Sequence, residues 1–169
     1  MIMPILRYGA PELRTPSKPV DVFNGELEKI ARNMIETMYG ARGIGLAANQ
    51  VGVNIRLAVI DSSAGERQDQ LIVVCNPAIV HAEGEQRREE GCLSIPDFTE
   101  TVVRPQKMVV RGLNLHGEEV EYRVEDLLAR VFSHEIDHLN GVLFIDHLSA
   151  LKRNLIKNKI RKLARAGEW

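Results

Sequence analysis

Cysteine is scarce in this 169-residue chain: only Cys75 and Cys92 occur. Two thiols do not make the disulfide framework of a small secreted domain. They read instead as buried, ligating or reactive groups in a reducing cytoplasm. Long apolar runs are missing too, and no stretch approaches the roughly 18 residues that mark a membrane-crossing helix. The opening, MIMPILRYGAPELRTPSKPV, has no basic segment followed by an apolar core and no Arg/Ser-rich amphipathic character. Neither a secretory signal nor a transit peptide is expected. Charge of one sign is not in excess either: the formal net charge is −1, which excludes a polyanion binder as a property of the whole molecule. Repeats and low-complexity segments are absent. What is present is an ordinary globular composition, 44% apolar and 27% charged. The length suits a single domain over residues 1–169 with a sizeable core.

Prolines at positions 4, 11, 16 and 19 make the opening segment extended and irregular. ELEKIARNMIETMYGAR then places Leu27, Ile30, Met34 and Met38 on one helical stripe with charges opposite, and the glycines of GARGIGLAANQ end that helix. IRLAVID and QLIVVCNPAIV are β-branched, bounded by turn formers and separated by the polar SSAGERQD, so both read as strands. KMVVRGLNLHGEEVEYRV reads as a hairpin turning at His116-Gly117-Glu118. A second helix is expected from about Glu125 to Leu139, closed by Asn140-Gly141. A third begins near the N-cap Ser149 and runs to about Arg165, with Leu151, Leu155, Ile156, Ile160 and Leu163 on its apolar side. The order predicts an α+β fold, mostly antiparallel sheet packed around a central helix, with a C-terminal helix.

The central helix carries VFSHEIDHLNG. His134 and His138 stand four apart, one helical turn on the same face, with Glu135 between them. Two imidazoles so placed can reach one ion, and the glutamate can reach water held there. Histidines on an ordinary amphipathic helix would look alike over five residues. Here Leu127, Leu128, Val131, Phe132 and Leu139 make the helix apolar around them, and burying His and Glu without partners would be costly. A third ligand is not found downstream. Position 144, where one zinc-protease pattern needs histidine, is phenylalanine, and SALKRNLIKNKIRK offers no glutamate. The remaining soft ligand lies upstream, Cys92 in the tight stretch REEGCLSIP, whereas Cys75 in LIVVCNP reads as core.

Three short motifs now stand in order: Gly43-Ile44-Gly45-Leu46-Ala47-Ala48-Asn49-Gln50, Glu90-Gly91-Cys92-Leu93-Ser94 and His134-Glu135-Ile136-Asp137-His138. With these motifs and their spacing the chain resembles the bacterial peptide deformylases over essentially its whole length. The resemblance implies one divalent metal ion per chain, bound by Cys92, His134 and His138 with one position open to water. It implies Glu135 as proton carrier, and the Gln50 amide and the Leu93 N–H as oxyanion donors. The implied reaction is removal of the formyl group from N-terminal formyl-methionine of nascent peptides, releasing formate. The peptide would add as a strand beside Ile44 and Gly45, with Gly91 opposite, and Ile44, Leu127 and Val131 would line the methionine pocket. Gly43 and Gly45 admit the close backbone approach such binding needs.

The donor set suits zinc, cobalt, nickel and ferrous iron alike; the resemblance implies Fe2+ in the cell. Arg130, one turn before His134, stands where many relatives are apolar. It reads either as a solvated rim residue or as a contact for the peptide's carboxylate end. Lys152, Arg153, Lys157, Lys159, Arg161, Lys162 and Arg165 lie in a stretch without an acid. Such a run is commonly a solvated helix face; the resemblance adds docking on the ribosome, through rRNA phosphates. His81, His116 and His147 read as structural or solvated. Two other readings remain: a general metalloprotease, against which the EGCLS motif and missing downstream ligand speak, and a ribosome-binding homologue without activity, against which the intact Gln50, Cys92 and Glu135 speak.

Overall fold

A computed structural model describes residues 1–169. The first regular helix, α1 (Gly25–Gly40), is capped by the Asn24 side chain, which accepts from the Leu27 N–H at 3.1 Å. Seven strands follow: β1 (Gly45–Ala47), β2 (Leu57–Ile60), β3 (Ile72–Glu83), β4 (Gln86–Cys92), β5 (Ile95–Arg104), β6 (Lys107–Leu113) and β7 (Glu119–Glu125). Helix α2 (Asp126–Leu139) comes next, and α3 (Ala150–Arg165) closes the chain after a short 3-10 turn at Phe144–His147. All strand pairings are antiparallel. One sheet runs in the order β1-β2-β3-β6-β7, and β4 and β5 form a separate hairpin. The α+β expectation holds, with sheet packed around α2.

Strand alternation explains the layering. Leu57 and Val59 of β2 pack with Leu27, Met34 and Met38 of α1, whereas Ala58 and Ile60 pack with Phe132, Ile136 and Leu139 of α2. A strand covered on both sides needs no polar face, and all four residues of β2 are buried. Cys75 lies in the α1-side core, as expected, and burial pushes its thiol up to about 11. A third cluster joins Ile95 and Val102 of the hairpin to Phe144, Ile145, Ile156 and Ile160.

The irregular opening segment is tied down at several points. Leu6 N–H donates to Gln50 O, Tyr8 N–H to Ser94 O, and Ser17 N–H to Leu139 O. Arg14 grips Asp146 with two nitrogens, at 2.6 and 3.1 Å. Gly141, just past α2, sits at φ +76°, and a Cβ there would meet Arg14 O at 2.6 Å. Only glycine satisfies both conditions.

Three expectations need correction. The β4–β5 hairpin was not anticipated, because QRREEGC is too charged to look like a strand; its apolar contacts are made by β5 and by α3. Strand β3 runs past the expected QLIVVCNPAIV to Glu83 and so takes in His81, whose ring lies 3.4 Å from Glu83. On α3 only Ile156 and Ile160 are buried; Leu151 and Leu155 are exposed. The helix touches the body along a narrow stripe, and the wider apolar face read from spacing stays in water.

Candidate active site

Helix α2 presents His134 and His138 inward with their Nε2 atoms 3.1 Å apart. The end of β4 brings Cys92 Sγ to 3.2 Å from His138 Nε2, and the three ligand atoms all lie within 4.8 Å of one another. A tetrahedral ion with bonds of about 2.0–2.3 Å holds its ligand atoms roughly 3.3–3.6 Å apart, so the separations of His138 Nε2 from His134 Nε2 and from Cys92 Sγ are already close to those an ion would hold. Burial holds His138 well below the usual histidine range, which leaves it neutral with a free lone pair. At His134 burial opposes a positive charge, yet Glu135, Cys92 and Glu90 more than offset it. Three nitrogen and sulfur donors meeting at one point fit a divalent metal ion.

Behind the trio lies a layer not found by sequence reasoning. His134 Nδ1 is 2.7 Å from Glu90 Oε2, which keeps the Nδ1–H tautomer and turns Nε2 toward the ligand point. Arg104 of β5 holds Glu90 with two nitrogens, at 3.1 and 2.7 Å, and reaches Asp137 Oδ2 at 2.6 Å. His147 closes the network on Asp137 at 2.8 Å. Burial alone would raise the Glu90 carboxyl, but hydrogen bonds from His134 and Arg104 hold it down at about 2. Glu90 and Asp137 stood in the quoted motifs. Arg104 carried no local signal, since only the hairpin fold brings it to Glu90.

Glu135 is 3% exposed, and one of its carboxylate oxygens, Oε1, lacks any hydrogen-bond partner. Burial pushes it up to about 7, the range suited to a proton carrier near neutrality. Gly45 is required beside it: an added Cβ would strike Glu135 Oε2 and lie 2.9 Å from its Cδ. A Cβ on Gly43 would similarly meet Leu93 Cδ1 at 2.7 Å. Gln50 is buried and fully oriented. Its Oε1 accepts from Ala47 N–H at 2.9 Å, and its Nε2 donates to Ser94 Oγ at 3.0 Å while lying 3.7 Å from Cys92 Sγ.

These groups open on one cleft of about 540 Å3. Gly43, Ile44 and Gly45 form one wall, Gly91, Cys92 and Leu93 another, and Leu127, Val131, His134 and Glu135 the floor from α2. Every sequence-predicted site residue lines it except His138, which is buried behind. Leu127 lies at the mouth, 40% exposed, rather than deep inside. Arg130 also faces the cleft, and its Nη1 donates to Glu89 O at 2.8 Å. It therefore fastens β4 to α2 in addition to lining the rim. Arg42, Ile95, Pro96, Asp97, Phe98 and Thr99 also line the cleft and were not anticipated.

A Cys-His-His donor set beside a buried glutamate, on a helix flooring a cleft, is the layout of a metal-dependent hydrolase. A family model described as polypeptide deformylase matches residues 2–154. The peptide deformylase of Acidobacterium capsulatum is 56% identical over 169 residues, covering 100% of this chain and 99% of the relative. That of Thermodesulfovibrio yellowstonii is 48% identical, covering 95% of this chain and 97% of the relative. Among solved structures, a peptide deformylase from Legionella pneumophila superposes with a TM-score of 0.92 at 45% identity, covering 99% of this chain and 98% of that one. The chain belongs to the polypeptide deformylase family.

Proposed function

We infer that this enzyme hydrolyses the N-formyl group of formyl-methionyl nascent peptides, giving formate and a free amine, with residues 1–169 acting as one catalytic unit. Membership of the family supports the reaction. The observation that carries its assignment to this cleft is the convergence of Cys92, His134 and His138 ligand atoms beside buried Glu135. These three residues would hold one divalent ion, Fe2+ in the cell, with Zn2+, Ni2+ and Co2+ compatible with the same donors. The chemistry such an ion supplies is Lewis acidity, which makes water acidic enough to ionise near neutral pH.

The chain's own residues do the rest. Glu135 accepts the proton from the attacking water and returns it to the departing amine nitrogen. The Gln50 Nε2–H and the Leu93 backbone N–H donate to the oxygen that gains charge as the formyl carbon becomes tetrahedral. Gln50 needs no reorganisation for this, since Ala47 and Ser94 already hold it. The peptide runs extended along the outer edge of β1, beside Ile44 and Gly45 with Gly91 opposite, and its methionine packs toward Ile44, Leu127 and Val131. Recognition through the main chain suits an enzyme that must accept many sequences.

No helix is long and apolar enough to cross a membrane, in keeping with action in the cytoplasm beside translating ribosomes. The basic stretch Lys152–Arg165 on α3 would dock there. Of its cations only Lys152 is held in an ion pair, with Glu100 at 3.1 Å, and Leu151 and Leu155 add exposed apolar surface. Reversing Lys159 and Lys162 to glutamate should weaken ribosome co-sedimentation and flatten its salt dependence. The deciding experiment is formate release from formyl-Met-Ala-Ser by anaerobically purified, Fe2+-loaded protein. Rapid release is expected; none from folded, loaded protein would overturn the assignment.

A further inference from the structure

The chain turns back after α3. Gly167 adopts φ +73°, its N–H donates to Ala164 O, and Glu168 N–H reaches Leu163 O at 2.8 Å. This is the left-handed reversal that commonly closes a helix. It delivers Trp169 to the cleft side of the molecule. There the indole meets the Phe98 ring edge-on, with centroids 6.1 Å apart and planes at 67°. Its Nε1–H donates to Tyr8 O at 2.9 Å, and the Arg7 guanidinium lies 5.7 Å from its ring centre.

Both contacts lead to the cleft. The register of the hairpin passes from Gly91↔Thr99 directly to Cys92↔Ile95, so Pro96, Asp97 and Phe98 bulge out of β5. The bulge carries Phe98 into the cleft lining, and Trp169 meets its ring there edge-on. On the other branch, Tyr8 N–H donates to Ser94 O at 2.8 Å, and Ser94 Oγ accepts from Gln50 Nε2. One indole thus braces a cleft wall by its ring and the turn after Cys92 through Tyr8.

We propose that Trp169 is a positioning residue for the substrate cleft, fixing Phe98 and the Leu93–Ser94 turn for peptide binding, an inference that rests on the deformylase reading. Trp169→Ala should raise KM for formyl-Met-Ala-Ser about two- to tenfold, the worth of an aromatic pair, with kcat falling less than KM rises. Trp169→Phe keeps a ring against Phe98 and loses only the bond to Tyr8, so it should recover most of the KM. In a Phe98→Ala background the further change Trp169→Ala should add little. A KM unmoved by Trp169→Ala, or one rising by the same factor in both backgrounds, would overturn the proposal.

A second readout does not depend on turnover. Trp169 is the only tryptophan in the chain, so its fluorescence reports this spot alone. Titrating the Glu135→Gln protein with formyl-Met-Ala-Ser should give a saturable fluorescence change that Phe98→Ala abolishes. A fluorescence response without formate release in the unaltered enzyme would sink the functional reading and leave the positioning role standing. Normal formate release with KM and fluorescence both indifferent would do the reverse.

Discussion

The two halves of the site are built in opposite ways. Helix α2 supplies His134, Glu135 and His138 within a single turn and a half of backbone, and its geometry follows from 3.6 residues per turn. The β4–β5 hairpin supplies Cys92, and with it Glu90 and Arg104, which are 14 residues apart in sequence and meet only when the strands pair. The helix half is held by packing on the sheet. The hairpin half belongs to a separate two-stranded sheet, and a two-stranded ribbon alone is marginal in water. Its attachment to the rest includes the Glu90–Arg104–Asp137 ion network, the bond from Arg130 to Glu89 O and the apolar contacts of Ile95 and Val102. Chemistry written into one helix is thus completed by a cysteine whose position depends on long-range pairing.

The largest separation between the halves should come from Glu135→Gln. It removes the proposed proton carrier from α2 without touching the hairpin, and kcat should fall by about 10²–10⁴-fold, with metal content and unfolding midpoint retained. Formate release and metal analysis on the same preparation check this. Arg104→Met attacks the hairpin side instead. It leaves Glu90 and Asp137 buried or half-buried without their cation, and urea unfolding should show a loss of about 3–5 kcal/mol. If the loss is below about 1 kcal/mol, the ion network does not anchor the hairpin.

A smaller effect should appear on acidification. Glu90 titrates at about 2 in the folded protein against an ordinary value of 4.5. Above pH 4.5 the carboxylate is charged in both states. Between about 4.5 and about 2 the unfolded chain takes up a proton that the folded one refuses, so stability falls as pH falls through that window. Urea midpoints measured from pH 6 down to 3 should decline in the unaltered protein, with a shallower decline in Glu90→Gln. The smallest change is expected from Thr99→Val, which loses an exposed bond to Glu89. A loss under about 0.5 kcal/mol would show that the buried end, not the solvent-facing strand contacts, holds the hairpin.

What could be read from the sequence follows the same division. Helix α2, the β6–β7 hairpin and its turn, and the candidate ligands Cys92, His134 and His138 all rest on local signals: helical spacing, alternation, a tight turn and short motifs. The β4–β5 hairpin was missed because Arg87, Arg88, Glu89 and Glu90 mask its period. Its buried charges are satisfied by partners distant in sequence, above all Arg104 and His134. Spacing also overstated α3, since a helix can carry a broad apolar face and bury only part of it. The bulge that turns Phe98 into the cleft has no local mark in IPDFTE, and neither does the contact of Trp169 with it.

One feature of the main sheet bears on self-association. Its two outer strands are β1 and β7, and unpaired strand edges invite other chains to stack on them. The β7 edge is guarded by Glu119, Glu121, Arg123 and Glu125, all exposed, with Glu121 ion-paired to Arg111 and Arg123. The β1 edge has no such guard, but it is three residues long and recessed between the hairpin and α2. A recess of that shape suits one extended chain better than the broad edge of a second folded copy. The same recess that would admit an extended peptide thereby shields the open strand edge from stacking.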